Sequence, residues 1–473
     1  MASTNIAFST IPASIRKPGK YFEFNTSLAV RTLPGNLQKV LIIGQRLAAG
    51  SVLANVLTDV FSDADAQAYF GQGSMLHLMV RAALIANPYL SLQCIALDDD
   101  AAGIAATASV TVTGTASSSG VVTMNLGTQQ VNIAVNTGDT QTTIAAALQA
   151  QIMKQPDLPV TAAVASNVVT LTAKNKGATG NLAKLSVSDT VGTTTVVSTV
   201  FASGATDPQL TVVLPTVYAA GHNVIVSPYI DTTNLTNLRT HLDSVSGSLE
   251  QRGAFGVYAH IGTLSAATTL ATSINSGRIT GILVPNAYNF IYEVAAAYAA
   301  VCASEEDPAR PLNTLPLTGI TPPPMANWSS RTEQENALYN GVTPTEVGPG
   351  NVVQIVRAIT TYILNAAGVP DISLLDLTTI RTLDYVRKSC RERIALRFPR
   401  EKLSERTAPK VRSELLDVLT KLEELEIVEF VTENAGGLLV ERDLQDPNRL
   451  DAKIPANVVN GLHVFAGRID LLL

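Results

Sequence analysis

Few side chains in this 473-residue chain are spaced to do chemistry. The run LIIGQRLAAGS sets Gly44 behind an apolar stretch, where a phosphate-binding turn could begin, but no lysine precedes Ser51 and GxGxxG spacing is missing. An ordinary turn is expected there. Asp98, Asp99 and Asp100 could offer oxygen ligands to a cation, yet they lack the alternate spacing and glycine of a calcium loop. They read as a solvated charge run. His77, His222, His241, His260 and His463 show neither HxxxH nor HExxH spacing, so each is expected to be structural. Ser117 to Ser119 lie in a Gly-flanked turn with no neighbouring base, and no GxSxG elbow occurs. The expectation is a protein that is not an enzyme, with no catalytic residues, cofactor or metal.

Charge is the stronger signal. Eleven Lys or Arg stand against four Asp or Glu from Thr378 to Arg412, followed by seven acidic residues against one lysine from Ser413 to Glu433. Apolar Leu383, Val386, Cys390 and Ile394 recur every three or four residues, so an amphipathic helix beginning near Asp376 is expected, with Arg387, Lys388 and Arg391 on its polar face. A second helix, from about Ala408 to Leu425, turns acidic at its C-terminal end, against the helix dipole. Basic and acidic surfaces meeting between identical subunits, or on a coaxial partner, would fix register. Two solvated helix faces explain the charges equally well; nucleic acid is a third counterpart, disfavoured by the adjacent acidity and the lack of aromatic punctuation. The formal net charge of −6 gives no global attraction to nucleic acid or to an anionic membrane.

The elements that must position these residues can be read from periodicity and composition. This length calls for two or three domains. Cys94, Cys302 and Cys390 are too far apart for a disulfide framework or a CxxC site and read as reduced, mostly buried thiols of a protein made in cytoplasm. No secretory signal opens the chain, and the alanine-rich stretch from Tyr288 to Ala303, with Glu293 inside it, reads as a packed helix rather than a membrane span. No Phe, Trp or Tyr occurs from Leu90 to Val200, so this interval must pack with small aliphatic side chains as a separate unit. Inside it, β-branched alternating runs and one helix capped by Asp139 or Thr140 predict a small β-rich insert from Gly103 to Ala205. On either side, short apolar runs alternate with helices, including Thr232 to Val245 and Leu264 to Ile274, which predicts one interrupted sheet covered by helices.

The segment DPARPLNTLPLTGITPPP is too proline-rich for regular structure, and Trp328 is expected to anchor it to the core. From Tyr339 an uncharged, turn-rich stretch leads to the basic helix. Further on, EIVEFVTE and LLVERDL are expected to pair as a hairpin across Asn434 to Gly437, with strand character to the last residue. An apolar end such as Ile469 to Leu473 needs a partner strand, in its own sheet or on another subunit. The fold class expected is α+β or α/β and multidomain, with a discontinuous inner α/β domain, an inserted β-rich domain and extended terminal arms.

IPASIRKPGKYFEFNTSLAV, VLIIGQ, FGQGSMLHLMVRA and the block from Tyr339 to Leu403 resemble, in this order, the contractile tail sheath proteins of Mu-like bacteriophages. The resemblance implies a non-enzymatic subunit of the virion, assembled in host cytoplasm, that stacks as hexameric rings around a tail tube and contracts to drive the tube through the host envelope. It implies as partners further copies of the chain, the tube protein, and baseplate and tail terminator proteins, without specific nucleic acid or membrane insertion. The divisions expected are an N-terminal arm (1–25), a first α/β part (26–102), the outer insert (103–205), a second α/β part (206–310), the proline-rich connection (311–330), the inner sheath domain (331–460) and a C-terminal strand arm (461–473). Arg387, Lys388, Arg391, Arg397, Arg400, Ile469, Leu471 and Leu473 are the expected contacts to a neighbouring subunit or the tube. Reversing charge at Arg387 and Arg391 is expected to alter assembly while barely changing monomer melting. The other readings are an α/β nucleotide-binding protein or enzyme, and an adhesin whose insert binds the envelope.

Overall fold

The computed structural model describes residues 16–22 and 33–471. The chain opens with β1 (Lys39–Gln45), β2 (Leu57–Asp59), α1 (Asp63–Phe70), α2 (Met75–Ala86) and β3 (Ser91–Leu97). Gly71 ends α1 at a φ of 87°, a conformation open to glycine at little cost, and Ser74 starts α2 by accepting from the His77 amide.

The insert follows as β4 (Thr107–Thr113), β5 (Gly120–Leu126), β6 (Gln129–Val135), α3 (Gln141–Met153), β7 (Val160–Ala165), β8 (Val168–Ala173), β9 (Leu185–Asp189) and β10 (Thr195–Ser198). These strands form two antiparallel sheets, β10-β4-β8-β7 and β6-β5-β9. Val110, Val122, Met124, Val131 and Leu171 are buried in it, and α3, capped by Thr140, adds Ile144, Leu148 and Ile152. Small aliphatic side chains thus make up the core of the insert, as the lack of aromatics requires.

Next come α4 (Leu214–Val217), β11 (Val224–Val226), α5 (Thr232–Val245), β12 (Phe255–His260), α6 (Leu264–Ile274), β13 (Ile279–Leu283), α7 (Ile291–Ser304), α8 (Arg331–Tyr339), β14 (Thr343–Gly348) and β15 (Val352–Ile355). Their strands rejoin the first three in one eight-stranded sheet, ordered β15-β14-β13-β12-β11-β1-β3-β2, with β1 beside β11 and Val40 opposite Val224. Inner strands run parallel, while the edge strands β2 and β15 are antiparallel. Parallel strands covered on both faces read as continuous apolar runs, and Val40 to Ile43 are fully buried.

The alanine-rich stretch is the core helix α7, buried from Ile291 to Ala303, where small side chains let it lie against α2. Glu293 caps it from within: its carboxylate accepts from the Phe290 amide (3.0 Å) and from Asn289 Nδ2 (3.3 Å), and burial raises its pKa to about 7.

Three expectations change here. The stretch after Tyr339 holds two strands; Pro344 is tolerated because β14 pairs with β13 over only Thr343 and Pro344. Trp328 stays 38% exposed and its indole donates to Pro323 O, so it braces the proline-rich connection against itself. Leu312, Leu317 and Ile320 are what sink that connection into the core. The aspartate triplet is a joint rather than a solvated run: Asp98 pairs with Arg46, and Asp99 accepts from Gln45 Nε2 (2.6 Å) and Asn175 Nδ2 (3.2 Å) where the insert meets the sheet.

The C-terminal part contains α9 (Leu377–Arg397), α10 (Thr407–Glu424), α11 (Val431–Asn434), β16 (Leu439–Arg442) and β17 (Leu450–Lys453). The hairpin is β16–β17, turning through 443–449, not across Asn434 to Gly437. Phe430 takes a left-handed φ of 58°, which turns the chain into α11, so EIVEFVTE cannot continue as a strand. Beyond β17 the described residues form no further strand, contrary to the strand-like end expected. The N-terminal arm lies outside the described residues except for 16–22, as does Leu473.

Candidate functional site

The basic helix α9 is rooted in two cores. Leu377 and Ile380 belong to the main core under the sheet, while Tyr385, Val386 and Cys390 pack with Val411, Leu415, Val418, Leu419 and Leu422 of α10 in a second core. Each such side chain, fully buried, contributes roughly 1.5–3 kcal/mol. Asp376 stands before its first turn and holds Arg357 by two hydrogen bonds of 2.7 and 2.8 Å.

Polar side chains of α9 mostly engage their own chain. Asp384 receives Arg278 through two hydrogen bonds (2.8 and 3.1 Å) and Arg387 through one (2.8 Å), and Arg387 also donates to Ser246 O (2.7 Å). Burial pulls the Arg387 guanidinium below its ordinary pKa, and the Arg278 and Arg391 cations add to this. Lys388 donates to Gly35 O (2.7 Å) and Arg391 to Gln251 O (3.2 Å). Arg393, unnoticed as a distinct residue in the sequence, bridges to Glu414 (3.1 Å) and Asp417 (2.6 Å) of α10, and Arg397 lies 3.5 Å from Glu414. Part of the segregated charge therefore meets inside one chain. The pattern offered one clue, since Arg393 falls one turn before Arg397 on a helix whose successor carries Glu414 and Asp417. Arg400 is exposed in the connection to α10.

The tail behaves differently. Leu462, Val464, Phe465, Ile469 and Leu471 are each at least 79% exposed. Near its root, Val428 bridges Val458, and His463 accepts or donates at Asn313 (2.9 Å). Between α9, α10 and β17 runs an apolar groove of about 790 Å³ whose lining includes Val386, Cys390, Ile394, Phe398 and Ile454.

A nucleotide site would be sought where the chain winds from β1 to β3 on one side and β11 lies on the other, at the carboxyl ends of the strands. Here the insert fills that crevice: Gln45 Nε2 donates to Lys176 O (2.7 Å) and Asn175 Nδ2 to Arg46 O (3.0 Å). A Cβ on Gly44 would stand 3.1 Å from Met79 Sδ and 3.2 Å from Leu76 Cα, so this glycine serves close packing. His77 is fully buried, and its Nδ1 accepts from the Gly73 amide at 3.0 Å. Arg81 beside it clamps Asp63 of α1 and Asp157 of the insert, the latter at 3.1 Å. No helix among the described residues is long and apolar enough to cross a membrane.

Comparison with known proteins agrees with this architecture. Residues 101–206 match the family model of the phage tail sheath protein beta-sandwich domain, 203–361 its central domain and 369–471 its C-terminal domain. The Mu-like prophage FluMu tail sheath protein of Haemophilus influenzae is 36% identical over 99% of this chain and 100% of its own length. In fold, the chain is similar to a sheath tail protein from Desulfitobacterium hafniense (TM-score 0.52, 13% identity, covering 94% of this chain and 97% of that one). It is similar to another from Listeria innocua (TM-score 0.52, 14% identity, 92% and 94% covered). With the crevice filled, α9 tied into two cores and a whole-length relative at this identity, the chain belongs to the phage tail sheath family, in its Mu-like branch.

Proposed function

We propose that this chain is the structural subunit of a contractile tail sheath, polymerising as stacked rings around a tail tube and shortening to drive that tube through a host envelope. Family membership supports the sheath role, and the exposed apolar tail supports its mode of assembly. A tail with Phe465 at 88%, Ile469 at 98% and Leu471 at 82% exposure is costly to leave in water. Among the described residues the two-stranded sheet β16–β17 has an unpaired edge on each strand, able to receive an extended segment from another copy. On this reading 1–25 and 461–473 are exchanging arms, the two α/β parts and residues 331–460 form the inner body, and 103–205 projects outward. Arg400 and the exposed flank of α9, rather than Arg387, which is bonded within the chain to Asp384 and Ser246 O, meet a neighbour or the tube. Baseplate and terminator proteins would cap the sleeve, and no nucleotide is consumed.

Deleting Arg468 to Leu473 tests the arm. The truncated chain is expected to melt as the full chain does, because residues 468–471 are exposed, yet to form no ordered tubes by negative-stain electron microscopy. Tubes of ordinary length and diameter would refute the exchange.

A further inference from the structure

At the amino ends of β1, β11 and β12, opposite the filled crevice, α9 roofs a polar pocket of about 220 Å³. Four cationic side chains line it: Arg252 from the loop before β12, and Arg381, Lys388 and Arg391 from α9. Asp384 is the sole carboxylate on the wall, and it is already taken by Arg278 and Arg387.

Two of the cations are incompletely used. Arg381 is 6% exposed; its Nη2 donates to Glu305 O, while Nε and Nη1 find no acceptor among the described residues. Arg252 pairs with Glu250 through Nη2 and lies over the Tyr218 ring at 5.2 Å, but its buried Nε is likewise without an acceptor among them. Unmatched donors on a buried guanidinium are costly, and guanidinium groups are built to hold oxyanions. Burial also pulls Arg381 below its ordinary pKa, although the Glu305 and Asp307 carboxylates act in the opposite direction.

We infer that this pocket binds a small tetrahedral oxyanion of the phosphate or sulfate class, held between Arg252 on the sheet side and Arg381, Lys388 and Arg391 on α9. A tetrahedral ion suits cations that approach from two walls, since it presents oxygens in more than one plane. The bound anion ties α9 to the sheet, so it stabilises the joint between the two cores. This inference is argued from the fold of a single copy and does not rest on the assembly reading.

The test uses the full chain, with inorganic phosphate titrated against sodium chloride at matched ionic strength. Melting temperature is followed, and binding is measured by isothermal titration calorimetry. Phosphate and sulfate are expected to raise the melting temperature saturably, while chloride and acetate do not. Arg252→Gln and Arg391→Gln are each expected to weaken phosphate binding about tenfold or more, the loss of one charge-assisted hydrogen bond. Arg381→Gln should do the same, with far-ultraviolet circular dichroism reporting separately whether it folds. The site is refuted if phosphate acts no more strongly than chloride, or if both Arg252→Gln and Arg391→Gln bind it as the unaltered chain does. Loss of tubes in Arg252→Gln without any phosphate effect would also overturn it, pointing instead to an acidic side chain from another copy.

Discussion

At the scale of single residues, the chain spends its ionisable groups on holding itself together. Glu293 shows this most sharply, since its carboxylate is raised to about 7 by burial although two donors serve it. The folded state therefore keeps a proton that the unfolded chain releases near 4.5, so Glu293 opposes folding increasingly as pH rises from about 4.5 to 7. His222 and His241, lowered to about 4 by burial, act with the opposite sign, adding stability as pH rises from about 4 to 6.5. Glu293→Gln keeps an acceptor for the Phe290 amide and removes the charge. It is expected to raise stability at pH 8 by roughly 2–3 kcal/mol and to leave it little changed at pH 4, read from urea unfolding at both values. The sequence showed Glu293 within an apolar helix but could not show that its position is the third residue of that helix, where the backbone amides it caps are found. The same limit hid Arg381 and Arg393, because a charged residue on a helix looks solvated until the surface facing it is known.

At the scale of elements, local periodicity carried far. Thr232–Val245 and Leu264–Ile274 fold as helices over those same residues, since each is capped by a side chain directly before it, Asp231 and Thr263. Strands whose pairing is short or at an edge were harder to see. β14, TPTEVG, carries Pro and Gly and is made a strand by its neighbours, whereas β10 (TVVS) and β15 (VVQI) hold strand-forming residues in only four positions each, too few to show a period. The displaced hairpin has the same origin, because one left-handed residue, Phe430, redirects a segment that reads as extended. The docking of α9 depends on an equally local condition. A Cβ at Gly253 would lie 2.4 Å from Asp384 Cγ, so only glycine lets the helix approach the sheet this closely. Gly253→Ala is expected to destabilise the chain by about 1–3 kcal/mol and to expose the 378–397 amides to hydrogen exchange sooner than those of β1. Equal protection of both would mean that α9 accommodates the methyl group.

At the scale of the whole molecule, the interrupted order of the sheet could be anticipated from the aromatic-free interval, whereas the route of the tail could not. Apolar residues at a chain end say that a partner is needed, without saying which. Arg400 stands on the exposed connection between α9 and α10 and is the cleanest probe of outward charge. Arg400→Glu is expected to change melting by less than about 0.5 kcal/mol while lowering the yield of tubes at low salt, with recovery toward the unaltered yield as salt rises. Unchanged tube yield at every ionic strength would remove that residue from the assembly surface. The length of α9 sets a last constraint. A continuous helix of 21 residues, anchored in one core by Leu377 and Ile380 and in the other from Tyr385 to Ile394, acts as a beam clamped over most of its length. It spans roughly 32 Å and resists bending, so the two bodies it joins must turn together. On the proposed arm exchange, displacement between stacked copies would be borne by the segments beyond the beam, so that each subunit would travel as a solid piece while its tethers change direction.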